Sequence, residues 1–263
     1  MSATPVVILT GAGRGIGLAI LQHLLSLPTP PNILAVTRTI TPALKSLSAT
    51  HPSSSSDLET ISIDLSTPPQ ELTSDIKSLI IDVAISRWGR IDTLILNHGT
   101  LDPVKKIVDS DGEEWERTFR TNFLSNVEIV RAGMGELRRK GGRVVMVSSG
   151  AAVGAYTGWG AYGASKAALN HFNQTLALEE PDVTTVAIRP GVVDTDMQKA
   201  LREVHGSVMK PEEHAKFVNL KKSGGIVKPE DVGAVLGNLG MRAEKSLSGK
   251  FLTWNDDALA AYR

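Results

Sequence analysis

The sequence predicts a doubly wound α/β domain built on a seven-stranded parallel sheet. Short apolar, β-branched runs recur along the chain, amphipathic stretches of helical period separate them, and a glycine-rich turn follows the first run. Strands that alternate with helices need crossover connections, which give a parallel sheet covered on both faces.

The first strand is the run at 6–9, Val-Val-Ile-Leu. After the glycines, Ile16, Ile20, Leu24 and Leu27 recur at spacings of three and four, which marks a helix. Further buried strands are expected at 33–36, 58–63, 94–96, 144–147 and 183–188, with a last one at 250–254. Helical stripes between them are Ile76, Leu79, Ile80 and Val83, and Phe119, Phe123, Val127, Val130 and Met134. Another helix is expected over 164–178. The proline-rich segment 28–31 and the serine run in 51–56 read as solvated connections, not domain boundaries. Segment 195–229 carries Lys and Glu at helical spacing and no strand, which suits a lid over a site. No internal repeat is visible, and residues 1–263 read as one domain.

With 263 residues, 41% apolar and 21% charged, the chain has the composition of an ordinary globular domain and can bury a large core. Its 28 basic and 28 acidic residues cancel, which leaves no basic excess to neutralise phosphates and excludes nucleic acid as a partner. The absence of cysteine excludes disulfides, thiolate zinc sites and a cysteine nucleophile, and fits a reducing compartment. No run reaches the ~18 apolar residues of a membrane span. The first ten residues lack a basic leader, and Ala261-Tyr262-Arg263 matches no sorting address, so a cytoplasmic location is expected.

Thr10-Gly11-Ala12-Gly13-Arg14-Gly15-Ile16-Gly17 joins the first strand to the first helix. There the helix dipole and free N–H groups can hold a pyrophosphate, and glycine lets it approach the backbone. The G-x-x-x-G-x-G spacing departs from the usual G-x-G-x-x-G fingerprint, so a tight turn with no ligand is the alternative. Tyr162 and Lys166 are four residues apart and share one helix face. An ammonium there lowers a phenol whose ordinary pKa is ~10 and makes the pair an acid–base catalyst. Ser149 lies thirteen residues earlier, past the fifth strand, at the sheet edge where ligands bind. Singly these residues suit a core tyrosine, a surface lysine and a turn cap; jointly and in this order they point to catalysis.

Thr10 to Gly17 matches T-G-x-x-x-G-I-G at every specified position. Together with Asn97-His98-Gly99, Asn122, Ser149, the Tyr162/Lys166 pair and Pro190-Gly191, in that order, the chain resembles the short-chain dehydrogenases/reductases from about residue 6 to 254. The segment from Val147 to Asn170, with Gly158-Trp159 inside it, is similar to the benzil reductase and sepiapterin reductase branch. The resemblance implies a Rossmann fold and an NADPH-dependent reduction of a ketone or α-diketone. Hydride would reach the carbonyl carbon while Tyr162 protonates the oxygen, Ser149 polarises it, and Lys166 holds the ribose and tunes the phenol. Asn122 would help to hold a relay water, against the alternative of a buried amide that braces a helix.

By the same resemblance, Gly11, Gly15, Ile16 and Gly17 would take the pyrophosphate end, Arg14 would approach the 2′-phosphate of NADP from the side opposite Arg38, and Asp64 and Leu65 would lie near the adenine. Asn97, Gly99, Pro190, Gly191, Val193 and Thr195 would surround the nicotinamide end. The helices carrying Asn122 and Tyr162 would pair copies into a homodimer or homotetramer. The second strand ends in Thr37-Arg38-Thr39, a small hydroxyl and a guanidinium where an NAD enzyme carries an acid, so NADP is the expected cofactor. An NAD-dependent alcohol oxidation and a non-catalytic, redox-sensing dinucleotide-binding module are the alternatives.

His98 replaces a small residue in the Asn-x-Gly turn and reads as structural. His51, His171, His205 and His214 show no metal-ligand spacing, and no metal is expected. Tyr156 and Trp159 either stack on an aromatic or conjugated substrate or pack into the core. Trp88 and Trp115 read as core.

Overall fold

The computed structural model describes residues 4–50 and 56–263. Seven strands form its sheet: β1 (Val6–Thr10), β2 (Asn32–Thr37), β3 (Leu58–Ser62), β4 (Thr93–Leu96), β5 (Arg143–Val147), β6 (Thr184–Arg189) and β7 (Phe251–Thr253). All pair in parallel, in the order β3-β2-β1-β4-β5-β6-β7. Val7 lies between Ile33 of β2 and Thr93 of β4, so the strand order reverses at β1 and a crevice opens beyond its carboxyl end.

The helices follow in order: α1 (Gly15–Leu25), α2 (Pro42–Thr50), α3 (Pro69–Asp75), α4 (Asp82–Trp88), α5 (Gly112–Phe119), α6 (Ser125–Lys140), α7 (Gly160–Glu179), α8 (Asp196–Glu203), α9 (Pro211–Lys222) and α10 (Pro229–Arg242). Strand residues alternate between two apolar layers, as the two-residue period requires. Val7 and Leu9 meet Ile20 and Leu24 of α1 and Val232 and Leu236 of α10. Ile8 faces the other layer with Ile80, Ile129 and Leu169. Because both faces are covered, β1 reads as a continuous apolar run. Gly233 lets α10 approach α1 closely, since a Cβ there would stand 2.8 Å from the Ala19 backbone.

A capping box starts α5: the Glu114 backbone N–H donates to Asp111 and the Asp111 N–H to the Glu114 carboxylate. π-Helical turns then link α3 to α4 at Ile76–Ile81 and α5 to α6 at Arg120–Leu124. The second carries Asn122, and such extra-residue turns recur at functional sites. A third apolar cluster lies beyond the carboxyl edge and joins Leu101, Val104, Trp159 and Tyr162 to Leu201 of α8, Met209 and Phe217 of α9. Segment 195–229 is thus two helices seated over that edge, with a single bridge between Val193 and Val227 at its base.

The strands lie where the apolar runs predict them, with ends shifted by a residue or two. Helix α7 begins four residues before the expected 164, because Trp159 and Tyr162 are drawn into the third cluster. The 28–31 connection is irregular as expected, whereas the serine-rich one falls outside the described residues except for Ser56. Among the described residues no helix is long and apolar enough to cross a membrane.

Candidate active site

Thr10 ends β1, and Gly11 (φ 68°) and Gly15 (φ 54°) turn the chain through the left-handed region into α1. A Cβ on Gly11 would stand 2.8 Å from Asn97 Nδ2, and one on Gly13 2.7 Å from Thr37 Oγ1. The turn is therefore a bare-backbone cradle at a helix N-terminus. Asn97 holds it from β4 by donating to the carbonyls of Thr10 and Gly11, both at 3.2 Å. Arg14 extends into solvent and pairs with Asp196 of α8 at 3.2 Å.

Beside the cradle, Arg38 is exposed past the end of β2, and among the described residues its side chain has no hydrogen-bond or ion-pair partner. Asp64 Oδ1 accepts from the Ser66 N–H at 2.9 Å and the Ser66 hydroxyl at 2.7 Å, which fixes the loop after β3 over buried Leu65. Opposite, Thr195 faces Gly15, whose Cβ would meet Thr195 Cγ2 at 3.1 Å. One cavity of about 860 Å³ runs from Gly11, Gly15 and Ile16 past Thr37, Arg38, Asp64 and Leu65 to Asn97, Gly99, Ser149, Tyr162 and Lys166, and then along Pro190, Gly191, Val193 and Thr195. Gly17 and Asn122 stand behind this lining. A nicotinamide dinucleotide fits these residues: the cradle suits a pyrophosphate, and the volume is near the top of the 300–1,000 Å³ range of small-molecule sites.

Ser149 Oγ caps the turn after β5 by accepting from the Ala151 N–H at 3.1 Å, and lies beside the Tyr162 hydroxyl. Its hydroxyl can turn to donate to the Tyr162 oxygen or to a ligand oxygen. Lys166 is buried and donates to the Val147 carbonyl at 2.8 Å. Burial lowers its pKa to about 8. The expected lowering of the tyrosine is not found. Burial pushes the Tyr162 phenol above its ordinary value, against the opposing Ser149 hydroxyl.

Asn122 is fully buried; its Nδ2 donates to the Thr100 carbonyl (2.9 Å) and to Ser165 Oγ (3.1 Å), while its Oδ1 accepts from the Thr100 N–H (2.8 Å). The side chain thus braces the loop after β4 against α7. Gly99 keeps the space before it open, for a Cβ would lie 3.2 Å from Asn122 Oδ1 and 3.4 Å from Lys166 Nζ.

His98 is structural in this geometry. Ser125 gives its hydroxyl proton to the Thr121 carbonyl at 2.8 Å, so it accepts from His98 Nε2–H at 2.7 Å, and Thr10 then donates to Nδ1 at 2.7 Å. Burial and the Lys166 charge lower the imidazole pKa to about 3, so it stays neutral and ties the glycine turn to α6. Among the described residues no group of three His, Asp or Glu is placed to hold a metal. Tyr156 and Trp159 pack in the third cluster and also line the cavity. Phe217 and Ser148 also line it and were not singled out from the sequence. Only tertiary closure brings Phe217 there, whereas Ser148 adjoins Ser149 and its position at a strand's carboxyl end was a usable signal.

The family profile described as short chain dehydrogenase matches residues 5–206. A Schizosaccharomyces pombe protein described as an uncharacterized oxidoreductase is 38% identical over 96% of this chain and 97% of its own. A Saccharomyces cerevisiae benzil reductase that forms (S)-benzoin is 37% identical over 97% of both chains. Among solved structures, a S. cerevisiae short-chain dehydrogenase/reductase is 35% identical, with a TM-score of 0.90 over 98% of this chain and 99% of that one. Relatives aligned nearly from end to end, on a sheet whose crevice gathers the motifs that first suggested it, show that this chain belongs to the short-chain dehydrogenase family of oxidoreductases.

Proposed function

We propose that the protein is an NADPH-dependent carbonyl reductase acting on ketones and α-diketones. The observation that carries this reading is a buried tyrosine hydroxyl beside Ser149, one helical turn from Lys166, at the end of a cavity that begins at a glycine cradle. A phenol raised by burial is protonated at neutral pH, so it is a proton donor. When bound, the dinucleotide supplies the hydride that reaches the carbonyl carbon. Ser149 donates to the carbonyl oxygen as negative charge gathers there, and Tyr162 gives that oxygen its proton, which makes the alcohol. The phenolate left behind is stabilised by the Ser149 hydroxyl and the Lys166 ammonium, then regains a proton from solvent.

The cofactor's pyrophosphate would lie on Gly11, Gly15, Ile16 and Gly17, its adenine by Asp64 and Leu65, and its 2′-phosphate on Arg38, with Arg14 approaching from the other side. The nicotinamide end would meet Asn97, Gly99, Tyr162, Lys166, Pro190, Gly191, Val193 and Thr195. Support for the phosphate comes from Arg38, without a side-chain partner among the described residues, beside Thr37 at a strand end that carries no acidic residue. We also propose a cytoplasmic homo-oligomer; sedimentation of the purified protein as a monomer would refute the assembly. The direct test of function is NADPH consumption against a panel of ketones and diketones, and no turnover with any of them would refute the reading.

Two further outcomes follow from this site. With Lys166 at about pKa 8, roughly nine in ten molecules carry the ammonium at pH 7, and fewer do as pH rises. The rate of ketone reduction should therefore decline through pH 8, and a profile flat to pH 9.5 would remove that ammonium from the rate. Segment 195–229, proposed as a lid, should close on bound cofactor. Trypsin cleavage after Lys221 should slow about fivefold or more with NADPH; equal rates with and without it would show that the segment does not respond.

A further inference from the structure

A second cavity of about 400 Å³ opens beside the first, and Gly150, Tyr156 and Arg189 line both. Arg189 ends β6 and is exposed, and among the described residues its side chain has no hydrogen-bond or ion-pair partner. Its backbone is fixed, since the Arg189 carbonyl accepts from the Trp254 N–H at 2.9 Å. The guanidinium lies against Gly150, the residue after Ser149. A Cβ there would stand 2.9 Å from Arg189 Nε, 3.0 Å from Cζ and 3.2 Å from Nη2, the atoms it would meet first outside its own turn. Glycine at 150 therefore leaves the cation room against the backbone, at the junction of the two cavities.

The other charged residues of the second cavity are Glu212, Glu213 and Lys216. Lys216 donates to the Tyr156 hydroxyl at 3.0 Å, and Glu213 accepts from the Thr157 N–H at 3.1 Å and the Lys210 N–H at 3.4 Å. Glu212 is exposed, and neither acid forms an ion pair with Arg189. An unpaired guanidinium presents a rigid fork that matches a carboxylate through two parallel hydrogen bonds. Two acids in the same cavity oppose a doubly charged phosphate more than a singly charged carboxylate.

We infer that Arg189 selects ketones that carry a carboxylate, holding that group at the junction while the carbonyl is reduced at Ser149 and Tyr162. The inference rests on the carbonyl reductase reading and names a substrate class within it. Ser149 and Gly150 are consecutive, with Cα atoms about 3.8 Å apart, so two or three methylene groups between ketone and carboxylate span the separation. Tyr156, common to both cavities, supplies the apolar wall along which that chain runs.

The test measures kcat/KM for 4-oxo-4-phenylbutanoate and 5-oxo-5-phenylpentanoate, each beside its methyl ester, which keeps the reacting ketone and loses only the charge. For the better acid of the two, the unmodified protein should favour acid over ester by about fivefold or more, the worth of a two-pronged arginine–carboxylate contact open to solvent. About 0.5 M sodium chloride should narrow that preference. Arg189→Met keeps an unbranched stem and removes the charge. It should raise KM for the acid about fivefold and leave its kcat and both esters within about twofold, with melting temperature and cofactor Kd near those of the parent. Equal losses on acid and ester would show that Arg189 only packs against the turn, and an unchanged KM for the acid would show that no carboxylate meets it; either overturns the inference. Should Arg189→Met fail to fold, the acid-over-ester preference of the unmodified protein decides alone. If that protein reduces other ketones but does not prefer either acid, only the Arg189 assignment falls; if it reduces no carbonyl, the reading beneath it falls too.

Discussion

Tyr162→Phe should lower ketone reduction by roughly 100-fold or more, the usual worth of a positioned acid, and leave the cofactor Kd within about threefold. The substitution removes one oxygen and keeps the ring that packs edge-on against Trp159. Lys166, the cavity and the glycine cradle all remain. What is lost is the proton that neutralises the forming alkoxide. The variant loses only the neutral hydroxyl and its contact with Ser149, so its stability should fall by no more than about 1 kcal/mol. Steady-state rates with saturating NADPH, beside fluorescence titration of the cofactor, make the measurement. Retained turnover in the variant would place the proton donor elsewhere. Lys166→Ala makes a useful contrast, since that side chain is assigned to both the ribose and the phenolate, and both Kd and turnover should worsen.

The fold was legible because burial on both faces leaves a simple trace. A strand such as β1, apolar along its whole length, can belong only to a covered sheet or a buried helix, and its five-residue length with a glycine turn behind it chose the sheet. Tyr162 and Lys166 were legible for a similar reason: helical spacing is local, so their shared face needed no tertiary information. The electrostatics were not. Spacing alone suggested an ammonium that lowers the phenol, but the outcome depends on how dry the third cluster leaves Tyr162, and Leu201 and Phe217 come from helices beyond residue 195. The same limit hid the brace around Asn122, whose partners Thr100 and Ser165 come from two other parts of the chain. His98 was read as structural, yet its two hydroxyl partners, 88 and 27 residues away, could not be named from the sequence.

Arg38→Ala should weaken NADPH by about 30-fold and change NADH by no more than about twofold, reversing much of the proposed preference. The size follows from a charge-assisted, two-pronged contact between a guanidinium and a phosphate, about 2 kcal/mol when formed near a protein surface. Its setting is firm although its side chain has no partner among the described residues: the Arg38 carbonyl accepts from Ser62 Oγ at 2.9 Å, and Thr41 Oγ1 donates to the Gly13 carbonyl at 2.7 Å. The loop that carries Arg38 is thus tied on one side to β3 and on the other to the glycine turn, where the cofactor's phosphates would gather. Thr37 is buried and spends its hydroxyl on the Thr39 carbonyl, so it does not compete for the guanidinium. Arg14 differs, because it already pairs with Asp196 across exposed surface, a contact that contributes little and is screened by salt. Its loss should therefore reduce NADPH affinity less than the loss of Arg38 does. Titrations of the two variants with both cofactors at one ionic strength decide the matter. Equal weakening of NADPH and NADH by Arg38→Ala would take the 2′-phosphate away from Arg38, and with it the argument that this cavity is built for the phosphorylated cofactor.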